Sequence, residues 1–555
     1  MARYSEKIVC ELSQKAWTDK ASWQDLLQEC YEFALSDRNP YWGNGTGKPG
    51  DPQPSKGKDK TSRRVYDSTL AVDAVRIANR LQYELFPIGS KWAEFIPGAF
   101  VNPQAKEQAR GELENLREVV FTAIQLSNFD LSIAEWLLEL VVAGMACMLV
   151  QQGDENNPIV YQCVTQAHVA VREGAFGSID LISRQHHMRY SLVLQTWPDA
   201  KFPELPEEKK AEDPEIDLID VCYWVPQDKQ WYYDVIVTGG LEKGGYKETR
   251  IVERKHDICP WIIARWSKAA GEAQGRSMVM LALPDARVLS SVKSYLLRHA
   301  ALAIGGVWMV RNDGVINANN VRIFPGATIP VRSTGGTAGG ASIAPLQATA
   351  DVNLAQLVIQ DLVQSIHKIM LNDGMPEIRD GIRTATELLE RLKELQQSMG
   401  APFSRVLKEG IVPMLEATID LLSKQGALPQ LQGQKIKLNN GFVQVRFQSP
   451  LVQGQSMRDV DALQQAAAVT QNLAGGPQGG GSQAVAVSFK VEDVGAWVGA
   501  KLGVDPAIMR TPDERVEFQQ KAAQVLAAQA GAIGPGAGVP APANSNPQQA
   551  PPVAA

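Results

Sequence analysis

Apolar residues recur along this chain at two different periods, and each change of period marks an architectural boundary. Residues 5–35 are helical in pattern. Residues 65–86 place Leu70, Val72, Val75, Ile77, Leu81 and Leu85 near helical spacing, and Pro87 stops the run after Phe86. Pro103 to Ser127 predicts a second helix, with Leu113, Leu116, Val120 and Ile124 on one face. Asp130 to Val150 predicts a third. The period then shortens. Residues 158–184 and 216–266 carry apolar runs parted by Gly, Asp and Pro, such as Ile159-Val160-Tyr161, Trp231 to Val237 and Trp261-Ile262-Ile263, which predict short strands. An acidic, proline-rich linker, Pro198 to Pro214, lies between them.

Helical spacing returns at Ser277. Pro284-Asp285 reads as a helix start, followed by Val288, Leu289, Val292, Tyr295 and Leu296. A Gly/Pro-rich excursion from Gly305 to Pro345 interrupts, with short apolar stretches such as Val307-Trp308-Met309-Val310. A second helix from Ala350 to Leu371 repeats apolar residues at Leu354, Val358, Leu362, Ile366 and Ile369, and Asn372-Asp373-Gly374 ends it. Thr384 and Glu387 match a capping box. The long helix they open carries Leu388, Leu392, Leu395, Met399, Phe403, Val406 and Leu407, and Pro402 and Pro413 should kink it. Gly426 and Pro429 end it, and residues 435–448 alternate as a strand. Helices over Met457–Leu473 and Val491–Leu502 follow, with a flexible joint at Gly475–Gly481. Thr511 to Glu514 is a second capping box. The elements predict an α+β, mainly helical chain.

With 555 residues, the chain has room for roughly three to four domains. Its 45% hydrophobic and 21% charged residues exclude a wholly disordered or collagen-like protein. A net charge of -6 argues against a globally basic nucleic-acid binder. Asn39 to Lys60 has the composition of an exposed loop, and the uncharged Ala/Pro/Gly tail from Gly531 to Ala555 that of a disordered one. The N-terminal residues lack the apolar stretch of a signal peptide. The longest apolar run, Trp136 to Val150, contains Glu139 and falls short of the ~20 residues of a membrane span. The expectation is a soluble intracellular protein without membrane contact. Six cysteines (Cys10, Cys30, Cys147, Cys163, Cys222, Cys259) contain no CxxC pair, so free, mostly buried thiols are expected.

Tests for chemistry fail. Gly43-Asn44-Gly45-Thr46-Gly47-Lys48 invites a phosphate-loop reading, but Trp42 stands where the first glycine belongs and Pro49 replaces the magnesium-binding hydroxyl. His186-His187 has neither the spacing nor the cysteine neighbours of a zinc site. No GxSxG, HExxH or GxGxxG motif lies in a suitable context. Nothing points to a catalytic residue, a metal or a cofactor. Positive charge is locally concentrated: Arg379 and Arg383 before the long helix, Arg287, Lys293, Arg298 and His299 on one helix, and Arg311, Arg322 and Arg332 in the excursion.

Six strings, in order, resemble the head-to-tail connector, or portal, family of short-tailed bacteriophages. Asp67-Ser68-Thr69 running to Leu85-Phe86-Pro87 with Trp92 behind is the first. Leu140 to Met145 and Arg172-Glu173-Gly174-Ala175-Phe176-Gly177 are the second and third. The fourth is Gly275-Arg276-Ser277 with Leu283, Asp285, Arg287 and Leu289. Arg383-Thr384-Ala385-Thr386-Glu387 and Gly503-Val504-Asp505-Pro506 complete the set. The resemblance covers roughly residues 60 to 530 and departs from the family in the Gly/Lys loop and at Trp17 and Trp23.

That resemblance implies a portal fold with wing, stem, clip and crown around a central tunnel. It implies an N-terminal wing over 1–276, a first stem helix over 277–303, a clip over 304–348 and a second stem helix over 349–371. A tunnel loop over 372–383, a long kinked wing helix and strand over 384–450, crown helices over 451–530 and a disordered tail over 531–555 follow. It implies a homo-oligomeric ring, a dodecamer, at one capsid vertex of the virion, assembled in the host cytoplasm. Double-stranded DNA would pass through it. Partners would be the major capsid and scaffolding proteins, the terminase packaging motor and a tail adaptor protein. Arg379, Arg383, Lys293 and Arg298 become tunnel candidates, and Arg311, Arg322 and Arg332 candidates for partner docking at the clip. Two readings from other classes stand beside it: a hydrolase, which needs a nucleophile–base pair, and a monomeric nucleic-acid binder, which needs a basic face.

Overall fold

The computed structural model describes residues 3–35, 65–102, 106–154, 157–202, 213–239, 249–305, 308–310, 343–345, 352–372, 400–428, 438, 443–447 and 450–474, with scattered helical positions up to 521. The chain divides into two units, Met1–Gly454 and Gln455–Ala555. The Gly/Lys loop, most of the Gly/Pro-rich excursion, residues 373–399 with the first capping box, and the charge-free tail lie outside the described residues.

The first unit is layered. Two helices, α1 (Glu6–Ala21) and α2 (Gln24–Ala34), fill the helical pattern of residues 5–35. The Trp23 N–H bonds back to the Lys20 carbonyl and closes α1 early. Then come α3 (Thr69–Leu85), β1 (Ala93–Pro97), α4 (Lys106–Leu126) and α5 (Phe129–Ala143). Next are β2 (Met145–Gln152), β3 (Ile159–Val164), β4 (Val169–Glu173), β5 (Ile179–Arg189), α6 (Tyr190–Thr196) and β6 (Glu215–Val225). β7 (Gln230–Gly239), β8 (Thr249–His256) and β9 (Trp261–Arg265) complete this region. Strands β4 to β8 form an antiparallel meander in chain order, and β3, β2 and β9 form a separate antiparallel sheet.

Alternation along the strands fixes the layers. On β2, Met145, Cys147 and Leu149 share a core with the five-stranded sheet, whereas Ala146, Met148 and Val150 join the helical core. A strand buried on both faces reads as a continuous apolar run. The stretch Asp130–Val150 therefore looked like one helix, and it is a helix followed by a strand. On the far side of the meander, Val221, Tyr223 and Val225 of β6 pack with Val9 and Ala16 of α1. Lys20, fully buried at the end of α1, gives its three ammonium protons to the carbonyls of Gln166, Ala167 and Val169, and its alkyl-ammonium end lies over the Trp17 ring. The helical core is anchored by edge-on aromatic pairs: Phe86–Trp92 at 5.0 Å, Trp92–Phe121 at 5.1 Å and Phe129–Tyr161 at 5.2 Å.

Beyond β9 come α7 (Met278–Gly305), the paired short strands β10 (Trp308–Val310) and β11 (Ile343–Pro345), and α8 (Val352–Ile369). Gly400–Lys424 is one helical run in three pieces: α9 (Gly400–Arg405), a π turn (Val406–Ile411) and α10 (Val412–Lys424). The wide turn ends two residues before Pro413, which has no N–H for the helical ladder, and Pro402 lies within α9. Trp136 presses on Gly410 so closely that a Cβ there would lie 2.7 Å from the indole. β12 (Val443–Phe447) pairs with β1 in antiparallel register, Ala93 opposite Phe447. The strand expected over 435–448 is thus confined to its second half among the described residues. In the C-terminal region, α11 (Pro450–Ala474) begins earlier than the expected Met457.

Candidate functional site

The two helices on either side of the excursion pack on each other, and Ser365 Oγ of α8 donates to Asp285 Oδ2 of α7 at 2.6 Å. The first of them does not start at Pro284. It starts at Met278, where Ser277 Oγ accepts the Met280 N–H at 2.8 Å as a side-chain cap. Pro284 lies in the second turn and removes one ladder bond.

The root of this helix is held by a backbone crossing. Gly144 ends α5 in the left-handed region, with φ 77°. A Cβ there would stand 2.5 Å from the Ser277 nitrogen and 2.8 Å from the Gly275 carbonyl. Only two glycines permit this approach, since a Cβ on Gly275 would collide with the Gly144 carbonyl. The Gly144 carbonyl accepts the Trp266 N–H at 2.9 Å, so the ends of α5 and β9 and the start of α7 meet at one point. Arg276 lies over the Trp23 ring at 5.3 Å and forms an ion pair with Glu272.

Arg265, at the end of β9 and 3% exposed, ties in the remaining segments. Its Nε and Nη2 donate to Glu409 of the π turn at 3.0 and 2.9 Å. Its Nη1 donates to Glu173 at 2.5 Å, and Nη2 reaches the Gly177 carbonyl at 3.1 Å. Lys268 also pairs with Glu173. The strings Leu140–Met145, Arg172–Gly177 and Gly275–Leu289 therefore converge on the root of α7. The first string meets the same helix about four turns further on, where Asp67 pairs with Lys293 and accepts the Thr69 N–H at 3.0 Å.

The structure gives the two described tunnel candidates different surroundings. Lys293 is neutralised by Asp67. Arg298 is exposed, forms no ion pair among the described residues, and borders a hollow of ≈ 600 Å³ shared with Asp25, Glu29 and Glu32 of α2. Arg287 of the same helix pairs with Glu29. On α8, His367 Nδ1 lies 2.6 Å from Asp73 Oδ2, and Asn372 Nδ2 donates to Asp73 Oδ1 at 2.7 Å. Arg379, Arg383, Arg311, Arg322 and Arg332 lie outside the described residues.

Sequence reasoning missed Arg265, Glu409 and Asp73 and quoted Glu173 only within a string, because each works through a partner far away in the chain. The faint signal was the interruption of apolar segments by single charges. His186 and His187 sit on strand β5, not on a helix, and a strand sends neighbours to opposite faces. His186 is buried near Asp220, and burial, with the Arg184 charge beside it, holds its imidazole well below its ordinary pKa. Among the described residues no group of three His, Cys, Asp or Glu is placed to hold a metal, and no helix is long and apolar enough to cross a membrane.

A chain of the solved virion of a native gene transfer agent particle aligns with a TM-score of 0.33 and 12% identity, covering 80% of this chain and 95% of that one. The portal protein of Escherichia phage T7 is 22% identical over 442 residues, covering 75% of this chain and 77% of its own length. That of Enterobacteria phage T3 is 22% identical over 559 aligned residues, covering 95% and 96%. The four strings that meet along α7 all lie within residues 7–509, the stretch that matches the family described as bacteriophage head to tail connecting protein, and the chain belongs to that family.

Proposed function

We propose that this protein is a phage portal: copies form a ring at one capsid vertex, through which double-stranded DNA is packaged and later ejected. The family match over residues 7–509 carries this reading, and the similarity to two portal proteins along most of the chain supports it. The paired helices α7 and α8 fit the role of a stem. Along α7, Leu281, Val288 and Tyr295 recur every seventh residue and are 68%, 50% and 67% exposed. Such a stripe is what a neighbouring copy would cover in a closed, head-to-tail ring.

In this reading the ring has twelve subunits. Residues 1–276 and 384–450 form the wing, 277–303 and 349–371 the stem, 304–348 the clip and 451–530 the crown. The clip meets the terminase motor and then the tail adaptor, with Arg311, Arg322 and Arg332 as docking cations. The wing and crown meet capsid and scaffolding proteins. The loop over 372–383 brings Arg379 and Arg383 to the lumen, moderated by Glu377 and Asp380. Lys293, already neutralised, contributes less to the tunnel than Arg298. Each phosphate contact adds salt-sensitive affinity, so a net charge of -6 per subunit suits sliding of DNA rather than retention. Mass spectrometry of the native assembly with negative-stain images tests the reading. Rings are expected, and they should fall apart when Val288 and Tyr295 are both changed to Glu. A wild-type chain that stays monomeric at micromolar concentration in physiological salt overturns it. Tight, salt-sensitive DNA binding by that monomer would favour the nucleic-acid-binding reading instead.

A further inference from the structure

The spacing of the six cysteines pairs none of them, yet the fold brings two into contact. Cys222 on β6 and Cys259, in the segment entering β9, place their Sγ atoms 3.8 Å apart, and both are free thiols. Cys147 and Cys163, on adjacent strands, stand opposite Val164 and Met148 instead of each other. Cys222 is sealed in the core between the two sheets. Cys259 is partly exposed and lines a cavity of ≈ 710 Å³, within the size range of small-molecule sites. Trp231 and Trp261 form apolar wall; Lys268 and Arg405 are paired with Glu173 and Glu409, and Lys408, with no ion pair among the described residues, leaves the lining cationic.

We propose that Cys222 and Cys259 are an oxidation site, converted to an internal disulfide by an anionic low-molecular-weight disulfide that enters through this cavity. The Cys259 thiolate attacks one sulfur of the oxidant, and the first small thiolate leaves and takes up a proton. Cys222 then attacks Cys259 Sγ in the mixed disulfide. Its proton goes to the second departing thiolate. The two cysteines lose two electrons and two protons, and the oxidant becomes two thiols. Burial, reinforced by Cys259 alongside, holds the Cys222 thiol well above its ordinary pKa, so the second step is the slow one. The bond closes a 37-residue span containing β7 and β8 and ties the five-stranded sheet to the three-stranded one. The inference does not rest on the portal reading.

The test uses the full-length chain, folded, with oxidised glutathione as the probe. After exposure, free thiols are alkylated and the peptides are mapped by mass without reduction. The expected product is a Cys222–Cys259 linked peptide pair, lighter by two hydrogens, reversed by dithiothreitol and accompanied by a higher unfolding temperature. In a Cys222→Ser variant, Cys259 should stop at the glutathione adduct. A wild-type chain that keeps glutathione on Cys259 while Cys222 remains alkylatable overturns the proposal, as does a Cys259 that never reacts. The wild-type map decides by itself if the variant does not fold.

Discussion

Replacing Arg265 with methionine keeps the buried aliphatic stem and removes the cation that β9, the β4–β5 turn and the π turn share. The native guanidinium makes a two-pronged contact with Glu409, a contact with Glu173 and one with the Gly177 carbonyl. Breaking a buried pair by deleting one partner costs about 3–5 kcal/mol. The lower end applies here, because both acids keep roughly a fifth of their surface in water and Lys268 still reaches Glu173. With an unfolding entropy of about 2.1 cal/mol/K per residue, a unit spanning Met1–Gly454 has an entropy near 1 kcal/mol/K, so ~3 kcal/mol lowers its melting temperature by ~3 °C. A smaller cooperative unit would shift further. Scanning calorimetry of wild type, Arg265→Met and Arg265→Lys should rank them in the order wild type, Lys, Met, since lysine keeps the charge but not the fork. Acid adds a second readout. Burial pushes the Glu173 carboxyl up, but hydrogen bonds from Lys268 and Arg265 outweigh it and hold the group below its usual 4.5. A depressed carboxyl contributes stability above its unfolded pKa and loses it as pH falls through the folded one. The gap between wild type and Met variant should therefore narrow below about pH 4.5. A Met variant that melts with wild type at pH 7, or a gap that persists in acid, refutes the argument.

Two further changes probe the frame around that hub. Gly144→Ala forces a Cβ into the Ser277 and Gly275 backbone at a φ of 77°, and should cost about 2–4 kcal/mol, read as a lower melting temperature and poorer soluble yield. Asp220 is buried with Arg184 and His186 each 3.9 Å away, and burial raises its carboxyl from 3.8 to about 7. A raised folded pKa means stability that is full below pH 3.8 and lost as pH rises through about 7, on the order of a few kcal/mol. Asp220→Asn should flatten that decline in denaturation midpoints measured from pH 4 to 8, and an unchanged slope would disprove it.

Periodicity made the architecture legible where one face of an element is buried. The stripe of α3 ends at Leu85, one residue before the expected Phe86, and α8 spans Val352–Ile369 inside the expected Ala350–Leu371. It misled where both faces are buried, as on β2, whose unbroken apolar run has no period to distinguish strand from helix. It offered two starts for α7, helical spacing from Ser277 and the Pro284-Asp285 signal, and the first is the one that stands. Proline at a helix N-terminus is a common signal, but Ser277 caps the helix earlier, and Pro284 is tolerated within it. The contact between Gly144 and Gly275 was invisible, because a glycine gives no sign in sequence of which distant backbone it admits.

Charge was the least legible property, and the helix pair shows why. Lys293 and Arg298 lie on one helix, yet five residues turn them about 140° apart. Their fates are set by segments more than two hundred positions away: Asp67 takes Lys293, while Arg298 faces the acidic side of α2. Arg287 meets Glu29 across a similar separation, and His367 of the second helix meets Asp73. Glu29, Asp67 and Asp73 all belong to the N-terminal segments, and the latter two are almost wholly buried. An exposed pair such as Arg287–Glu29 is worth at most about 1 kcal/mol. A buried carboxylate with one partner removed costs several times more, because the acid then keeps its desolvation without its compensation. Among the ion pairs of the two helices, those of Asp67 and Asp73 are therefore the costliest to break, while the apolar core holds Leu283, Leu289 and Ile366. Both acids belong to the very segment, Asp67 to Pro87, whose likeness to the connector family is read from its ends. A cation counted on a helix is thus no measure of the charge that helix presents until the acids of the neighbouring layer have been assigned.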